Sequence, residues 1–138
     1  MDNLWKDLER SARTIFRIFF DSKLYIKKVE NNSIDNFYGV DLHMDFHGHK
    51  KMSLLLEEDT VKSILKKLTG NDNLDTKKIA YDIIGEMASI IACGALADIP
   101  EKVFISNPEK TYDNKAIQSH VLTFSSNLGK FAITLQDV

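Results

Sequence analysis

The strongest constraint on the fold is a long apolar helix, which the residue pattern predicts over residues 75–98, just before Pro100. Two neighbouring stripes of this helix contain only apolar or small side chains. A wide arc of the helix is therefore expected to be buried. The members of the two stripes are Ile79, Ile83, Met87, Ile90 and Gly94, and then Ala80, Ile84, Ala88, Ile91 and Ala95.

The remaining stripe of this helix is narrow and polar. Glu86 and Ser89 lie three residues apart on it, so their side chains project from the same turn. Gly85 costs the helix about 1 kcal/mol relative to alanine, which indicates that something approaches the backbone closely there. Cys93 is more typical of a small inert hydrophobe than of a reactive thiol. We call this stripe the polar seam, and its members are Lys78, Asp82, Glu86, Ser89 and Cys93.

The polar seam has two interpretations on pattern alone. Most such stripes are only the solvated side of a core helix, and that interpretation stays open. The other is that a partner protein contacts the seam. Exposure of Glu86 and Ser89 side by side on one helix is the observation that would favour the second interpretation.

Two further helices are predicted. Residues 2–20 have apolar side chains at helical spacing and polar ones on the other side, which is typical of an amphipathic helix. A shorter helix is predicted to begin with Asp59 or Thr60 as its cap, to run through Leu68 and to end at Gly70.

Several segments are predicted to be strands. Residues 37–46 and 49–57 alternate apolar and polar side chains, and Gly48 between them favours a hairpin. The element order is helix, three strands, two helices, three strands. This order predicts an α+β (mixed α/β) fold, with an antiparallel-rich sheet packed against long helices. The other predicted strands are residues 24–30, 102–106, 116–125 and 130–136.

Length and composition predict one domain spanning residues 1–138. The net charge of −2 argues against nucleic-acid binding, which usually needs a basic excess. The charged residues 1–13 lack the apolar core of a signal peptide, and no apolar stretch is expected to approach the ~20 residues that span a bilayer. We therefore expect a cytoplasmic protein. Its one cysteine excludes an intrachain disulfide.

A histidine-rich motif precedes and follows Gly48. His43, Asp45, His47 and His49 would share one face of a single extended strand, a pattern typical of metal ligands. A turn at Gly48 would break that register. Exposed polar residues on a half-buried strand are then the expected outcome, so no metal is assigned. A small metal-binding protein remains an alternative function.

Residues 82–92 resemble the signature helix of the CheC/CheX/FliY chemotaxis phosphatases, which reads Asp-x-x-Gly-Glu-x-x-Asn. Here it reads Asp82-Ile83-Ile84-Gly85-Glu86-Met87-Ala88-Ser89. Residues 54–60 and 122–135 are also similar to the family, so the resemblance spans nearly the whole chain. It is closest to CheX-type members, which have one signature helix. The family's Gly-Asn-Ala segment is altered here to Cys93-Gly94-Ala95.

The resemblance implies a function. Family members remove the phosphoryl group from a phosphorylated CheY-type response regulator. Glu86 would contact the receiver's lysine, and Ser89 replaces the asparagine that holds the attacking water. These two are the expected catalytic residues. The expected partner surface consists of Asp82, Gly85, Glu86, Ser89 and Cys93.

The resemblance also bears on cofactors and assembly. No cofactor is expected in this protein, whereas Mg²⁺ is expected in the partner receiver domain. CheX-type relatives form dimers through sheet edges, and residues 116–125 and 130–136 are candidate edge strands. Because the water-positioning amide is missing, two functions stay open: a weak or degenerate aspartyl-phosphate phosphatase, and a non-catalytic module that binds a response regulator.

Overall fold

A computed structural model of the chain describes residues 2–28, 37–45, 47–70, 77–99, 101–111 and 120–137. The helices within these residues are α1 (Asp2–Phe20), α2 (Glu58–Thr69) and α3 (Lys77–Leu96). The strands are β1 (Tyr25–Lys28), β2 (Phe37–Asp45), β3 (His49–Glu57), β4 (Phe104–Ile105), β5 (Glu109–Lys110), β6 (His120–Ser126) and β7 (Gly129–Asp137).

The strands form one sheet in the order β1-β6-β7-β3-β2-β4, and β5 also pairs with β2. Every pairing is antiparallel. Because side chains alternate between the two faces of a strand, one face collects the apolar residues predicted for β2 and β3. The predicted α+β fold, an antiparallel sheet with long helices packed on it, is confirmed.

The main core lies between the helices and this face of the sheet. The ring of Phe131 on β7 stacks between those of Phe16 on α1, at 4.6 Å, and Phe124 on β6, at 4.7 Å. These centroid separations fit favourable ring packing. The core thus joins the N-terminal helix to the C-terminal strands. A smaller buried cluster on the other face contains Leu55, Val121 and Ala132.

Helices α1 and α3 pack closely at Gly94. The Ser11 hydroxyl donates a hydrogen bond of 2.8 Å to the Ile91 carbonyl oxygen. A Cβ atom added at Gly94 would lie 2.5 Å from the Ser11 Oγ atom. Helix α3 therefore needs a glycine at position 94 to pack this closely against α1. That packing determines which side of α3, including its polar seam, faces outward.

Helix boundaries follow the predictions closely, apart from the start of α2 and the end of α3, and residues 75–76, where α3 was predicted to begin, lie outside the described residues. Helix α2 begins at Glu58 and its N-cap is Glu57, so the expected cap at Asp59 or Thr60 is wrong. Thr60 is buried and donates a hydrogen bond of 2.7 Å to the Lys130 carbonyl oxygen, which ties α2 to β7. Gly70 ends α2 in the left-handed conformation, as predicted. Helix α3 ends at Leu96, two residues before the predicted end.

The strand predictions need two corrections. Strand β6 lies between β1 and β7, and β7 lies between β6 and β3, so neither is the edge strand that residues 116–125 and 130–136 were expected to supply. The edges of the described sheet are β1 and β4. The strand predicted over residues 102–106 is reduced to Phe104–Ile105, and β5 was not predicted. A two-residue strand is too short to show alternation of apolar and polar side chains in the sequence. Strands β4 and β5 are recognised only by their pairing with β2. Residues 29–30, 46 and 116–119 of the predicted strands lie outside the described residues.

Helix α3 also corrects an expectation about membranes. Its segment Ile79–Leu96 has a mean hydropathy of 1.6 and is long and apolar enough to cross a bilayer by length and composition. The expectation that no segment reaches that length is therefore wrong. Half of this segment is buried inside the domain, where the helix packs against α1 and β2. A core helix of a globular domain has the same composition.

Candidate functional site

The polar seam lies on the outer face of α3. Asp82, Glu86 and Cys93 are exposed and Ser89 is half-buried. Because α3 is an uninterrupted helix, these four side chains lie on one face across three turns. The Cys93 thiol is exposed, as its place on the expected partner surface requires, whereas the interpretation as a small inert hydrophobe would not require exposure. The side chain of Lys78 lies outside the described residues.

The buried arc of α3 is narrower than predicted. One predicted stripe, which contains Ala80, Ile84 and Ala88, is buried throughout. In the other, Ile79 is 48% exposed and Ile90 is 43% exposed. At 100° per residue, Ile79 and Ile90 lie about 20° and 40° from Glu86 around the helix axis, on the side facing solvent. Apolar side chains therefore border the polar seam.

The segment 104–111 forms a wall beside the seam. Its Pro108 lies directly against Gly85, where an added Cβ would be 3.0 Å from the proline Cγ and 3.4 Å from its Cβ. The predicted close approach at Gly85 is thus confirmed, and the approaching group belongs to this chain. Gly85 itself is buried, so its expected contact with a partner stays a prediction.

Strand β2 holds this wall in place at both ends. The Ser106 N–H donates to the His43 carbonyl oxygen at 2.8 Å, and the Thr111 N–H donates to the Gly39 carbonyl oxygen at 2.9 Å. The short strand β5 pairs with β2 between these points, and β4 pairs with β2 just before Ser106. Pro108 is therefore bracketed by backbone hydrogen bonds on either side.

Between the seam and the wall lies an open groove with a volume of about 610 Å³. Asp82, Glu86 and Glu109 contribute carboxylates to its lining, and Lys110 contributes an ammonium group. The Lys110 Nζ atom lies 4.7 Å from the centre of the Tyr81 ring, a cation–π contact. The charged side chains of the groove are therefore mostly acidic, which favours contact with a basic group.

The chemical capacity of the groove is limited. The described residues that line it offer carboxylates, one ammonium group and the hydroxyls of Tyr81 and Ser89, but no histidine or cysteine. Such a set can bind a cation and hydrogen-bond a water molecule. The same set contains hydroxyls and carboxylates, which are groups that can orient a water molecule or accept its proton.

The histidine motif lies on the β2–β3 hairpin. The chain turns at Gly48, with φ of 105°, and Asp45 pairs with His49 across the hairpin, so the predicted break in register is confirmed. Within the residues that the structure describes, no group of three or more His, Cys, Asp or Glu side chains could hold a metal ion. His43 and His49 nevertheless lie side by side, with ring centres 5.0 Å apart.

No protein-family model matches this sequence, and no curated protein matches it. Solved structures do. The chemotaxis protein CheX from Desulfovibrio desulfuricans superposes with a TM-score of 0.76 over 98% of this chain and 99% of that chain, at 15% identity. A CheC-like protein from Shewanella oneidensis gives 0.77 over 99% and 100%, at 14% identity. The chain has the CheX fold.

A third structure with this CheX fold is a complex. The CheX–CheY–BeF₃–Mg²⁺ complex from Borrelia burgdorferi contains a chain that superposes with a TM-score of 0.71, at 14% identity, over 96% of this chain and 97% of that chain. At these identities the likeness concerns the fold. The fold predicted from the signature helix is therefore confirmed, whereas the roles of Glu86 and Ser89 stay predictions.

Sequence reasoning missed the wall of the groove. Pro108, Glu109 and Lys110 line the groove but were not singled out. The Asn107-Pro108 dipeptide could have indicated a turn. Nothing in the local sequence indicates that this turn lies against Gly85, because that contact joins residues more than twenty positions apart.

Proposed function

We propose that this protein binds the phosphorylated receiver domain of a CheY-type response regulator in the cytoplasm through its polar seam, and that it is a weak aspartyl-phosphate phosphatase. The observation that carries the proposal is the position of Glu86 and Ser89. They lie together on the outer face of one continuous helix, beside an acidic groove. The CheX fold of the chain supports it, as does a complex of a similarly folded CheX with CheY.

Glu86 is the proposed docking residue. Its carboxylate is exposed and is joined in the groove by those of Asp82 and Glu109. Active sites of receiver domains contain a lysine, and an ammonium–carboxylate contact is roughly twice as strong as a neutral hydrogen bond. Loss of the charge at Glu86 should therefore weaken binding more than loss of a charge elsewhere on the surface.

Ser89 is the proposed water-positioning residue. Its hydroxyl can accept a hydrogen bond from water, but it is shorter than the family's asparagine and offers no amide donor. The receiver supplies Mg²⁺ and lysine to neutralise the phosphoryl charge, so the remaining contribution is the position of the water. A displacement of about 1 Å can cost roughly 100-fold in rate. We therefore expect slow turnover.

Binding is tested with a receiver domain carrying BeF₃⁻ and Mg²⁺, by calorimetry. The wild-type chain should bind, and Glu86→Gln should weaken the affinity by about tenfold or more, since a charge-assisted bond is worth about 1.5–3 kcal/mol. Glu58→Gln is the matched control, because Glu58 is an exposed glutamate on α2 that pairs with Lys62. Equal affinities of all three proteins would contradict the proposed docking surface.

Turnover is tested by the lifetime of the receiver's aspartyl phosphate. The wild-type chain should shorten it slightly, and Ser89→Asn should shorten it by a further ~10- to 100-fold through better placement of the water. Ser89→Ala should bind equally well and be slower than the wild type. Binding with no effect of any Ser89 variant on the lifetime would favour the alternative, a regulator-binding module without turnover.

The expected homodimer also stays a proposal. The described edges are β1 and β4, and β1 is the longer, with four residues. A free strand edge presents unpaired backbone groups that a second copy can pair with. The molar mass measured by light scattering during size-exclusion chromatography decides between monomer and dimer.

A further inference from the structure

A second cluster of functional side chains lies on the β2–β3 hairpin, on strands other than the helix that bears the polar seam. The Nδ1 atom of His43 is 3.0 Å from the Nε2 atom of His49. The Nδ1 atom of His49 is 2.5 Å from the Asp45 Oδ1 atom. The three groups therefore form a chain in which a carboxylate contacts one imidazole and that imidazole contacts the next.

Asp45 determines which nitrogen of His49 carries the proton. A carboxylate accepts hydrogen bonds, so the Nδ1–H of His49 donates to Asp45. The Nε2 atom of neutral His49 then holds a lone pair directed at His43. Metal-bound histidines in proteins show this arrangement, because their second nitrogen usually donates to a carboxylate that orients the ring.

The spacing of the two facing nitrogens fits a chelate. Zn–N bonds of about 2.0–2.1 Å place two nitrogens of a tetrahedral ion roughly 3.3 Å apart. Binding widens the observed separation of 3.0 Å by about 0.3 Å and turns both rings, so that their lone pairs meet at the ion, to one side of the line that joins the two nitrogens. His49 is 44% exposed, so water can complete the coordination shell and the ion can enter directly.

We propose that His43 and His49 chelate one divalent transition-metal ion, such as Zn²⁺, with Asp45 as the outer partner of His49. When the ion binds His43 Nδ1 and His49 Nε2, the proton between the two rings leaves Nδ1 of neutral His43 for water, and Nε2 of His43 takes one up, so no net proton is released. The two imidazoles supply two ligands and water supplies the others, because no third His, Cys, Asp or Glu ligand is placed for the ion among the described residues. The bound ion would join β2 to β3 at the turn.

The turn at Gly48 creates this pair. A single extended strand would separate His43 from His49 by six steps of about 3.3 Å each, so their rings could not meet. The hairpin instead pairs His43 with Lys51 and Asp45 with His49, which brings the two imidazoles onto neighbouring strands. His47 lies apart, with its Nε2 atom 3.6 Å from Glu101, and serves as a control.

Calorimetric titration of the full chain with ZnCl₂ tests the site. Every protein carries Cys93→Ser, because the exposed thiol is another zinc ligand. One ion should bind. His43→Gln and His49→Gln should each lower the affinity at least tenfold, and Asp45→Asn should lower it by about 10- to 100-fold, the usual effect of an outer partner. His47→Gln should leave the affinity unchanged.

Two further measurements distinguish a loss of zinc binding from a loss of folding. Circular dichroism should show the same spectrum for all variants, since the substituted side chains are at the surface. The imidazole ¹⁵N resonances of His43 and His49 should shift on addition of zinc, and those of His47 should not. Equal zinc affinity in His43→Gln, an equal loss in His47→Gln, or no resonance shift at millimolar zinc would each overturn the proposal.

Discussion

Substitution of Gly85 by alanine tests how tightly the groove wall is held. In an ordinary helix this change stabilises by about 1 kcal/mol. Here the new methyl group would lie 3.0 Å from the Cγ atom of Pro108, closer than carbon atoms pack without strain. The proline ring is rigid, and the backbone hydrogen bonds of Ser106 and Thr111 hold its segment against β2. Overpacking of this kind costs about 1–3 kcal/mol, so Gly85→Ala should destabilise by about 0–2 kcal/mol.

A double-mutant cycle separates the two terms. Pro108→Ala removes the Cγ atom, so Gly85→Ala made in that background should stabilise by about 1 kcal/mol, the helix-propensity gain alone. The coupling between the two sites should then be about 1–3 kcal/mol. The free energy of unfolding, measured in urea for the wild type, both single variants and the double variant, gives this coupling.

Two results would refute the reasoning about the wall. If Gly85→Ala stabilises the wild-type chain by the full propensity gain, Pro108 does not resist displacement. If the substitution has the same effect with Pro108 or Ala at position 108, the contact contributes nothing. In either case the groove wall would be free to move.

Three further substitutions have expected outcomes. Gly94→Ala should destabilise by about 1–3 kcal/mol, because its Cβ would lie 2.5 Å from the Ser11 Oγ atom, and Ser11→Ala in the same chain should recover most of the loss; urea denaturation that shows no recovery would contradict this contact. Thr60→Val should lower the free energy of unfolding by about 1 kcal/mol through loss of the bond to the Lys130 carbonyl oxygen. Thr123→Val should instead leave it unchanged or raise it by up to about 1 kcal/mol, since the Thr123 hydroxyl is buried without a hydrogen-bond partner among the described residues; destabilisation by Thr123→Val in thermal melts would reverse that inference.

The elements that the sequence determined are those with a long, regular pattern. Helix α1 and strand β3 have the predicted boundaries, and Gly70 ends α2 as expected. In these segments local periodicity and backbone preference agree with burial in the fold. The signature helix was also predictable, because the positions of Glu86 and Ser89 on one face follow from helix geometry alone.

Tertiary structure decided the features that depend on distant residues. The sequence marked Gly85 as a point of close approach, but only the fold shows Pro108 there. The fold also leaves Ile90 beside the seam 43% exposed, where the pattern predicted burial. A helical stripe records which residues are apolar, and the neighbouring elements decide which of them are covered.

Contacts between side chains of the β2–β3 hairpin also depend on tertiary structure. From sequence, the turn at Gly48 argued against a histidine site, because it breaks the shared face of one strand. In the folded chain that turn places His49 next to His43, 3.0 Å apart. Spacing along a strand fixes which face a side chain takes, whereas contact between two strands depends on their register, which the turn and the sheet set together.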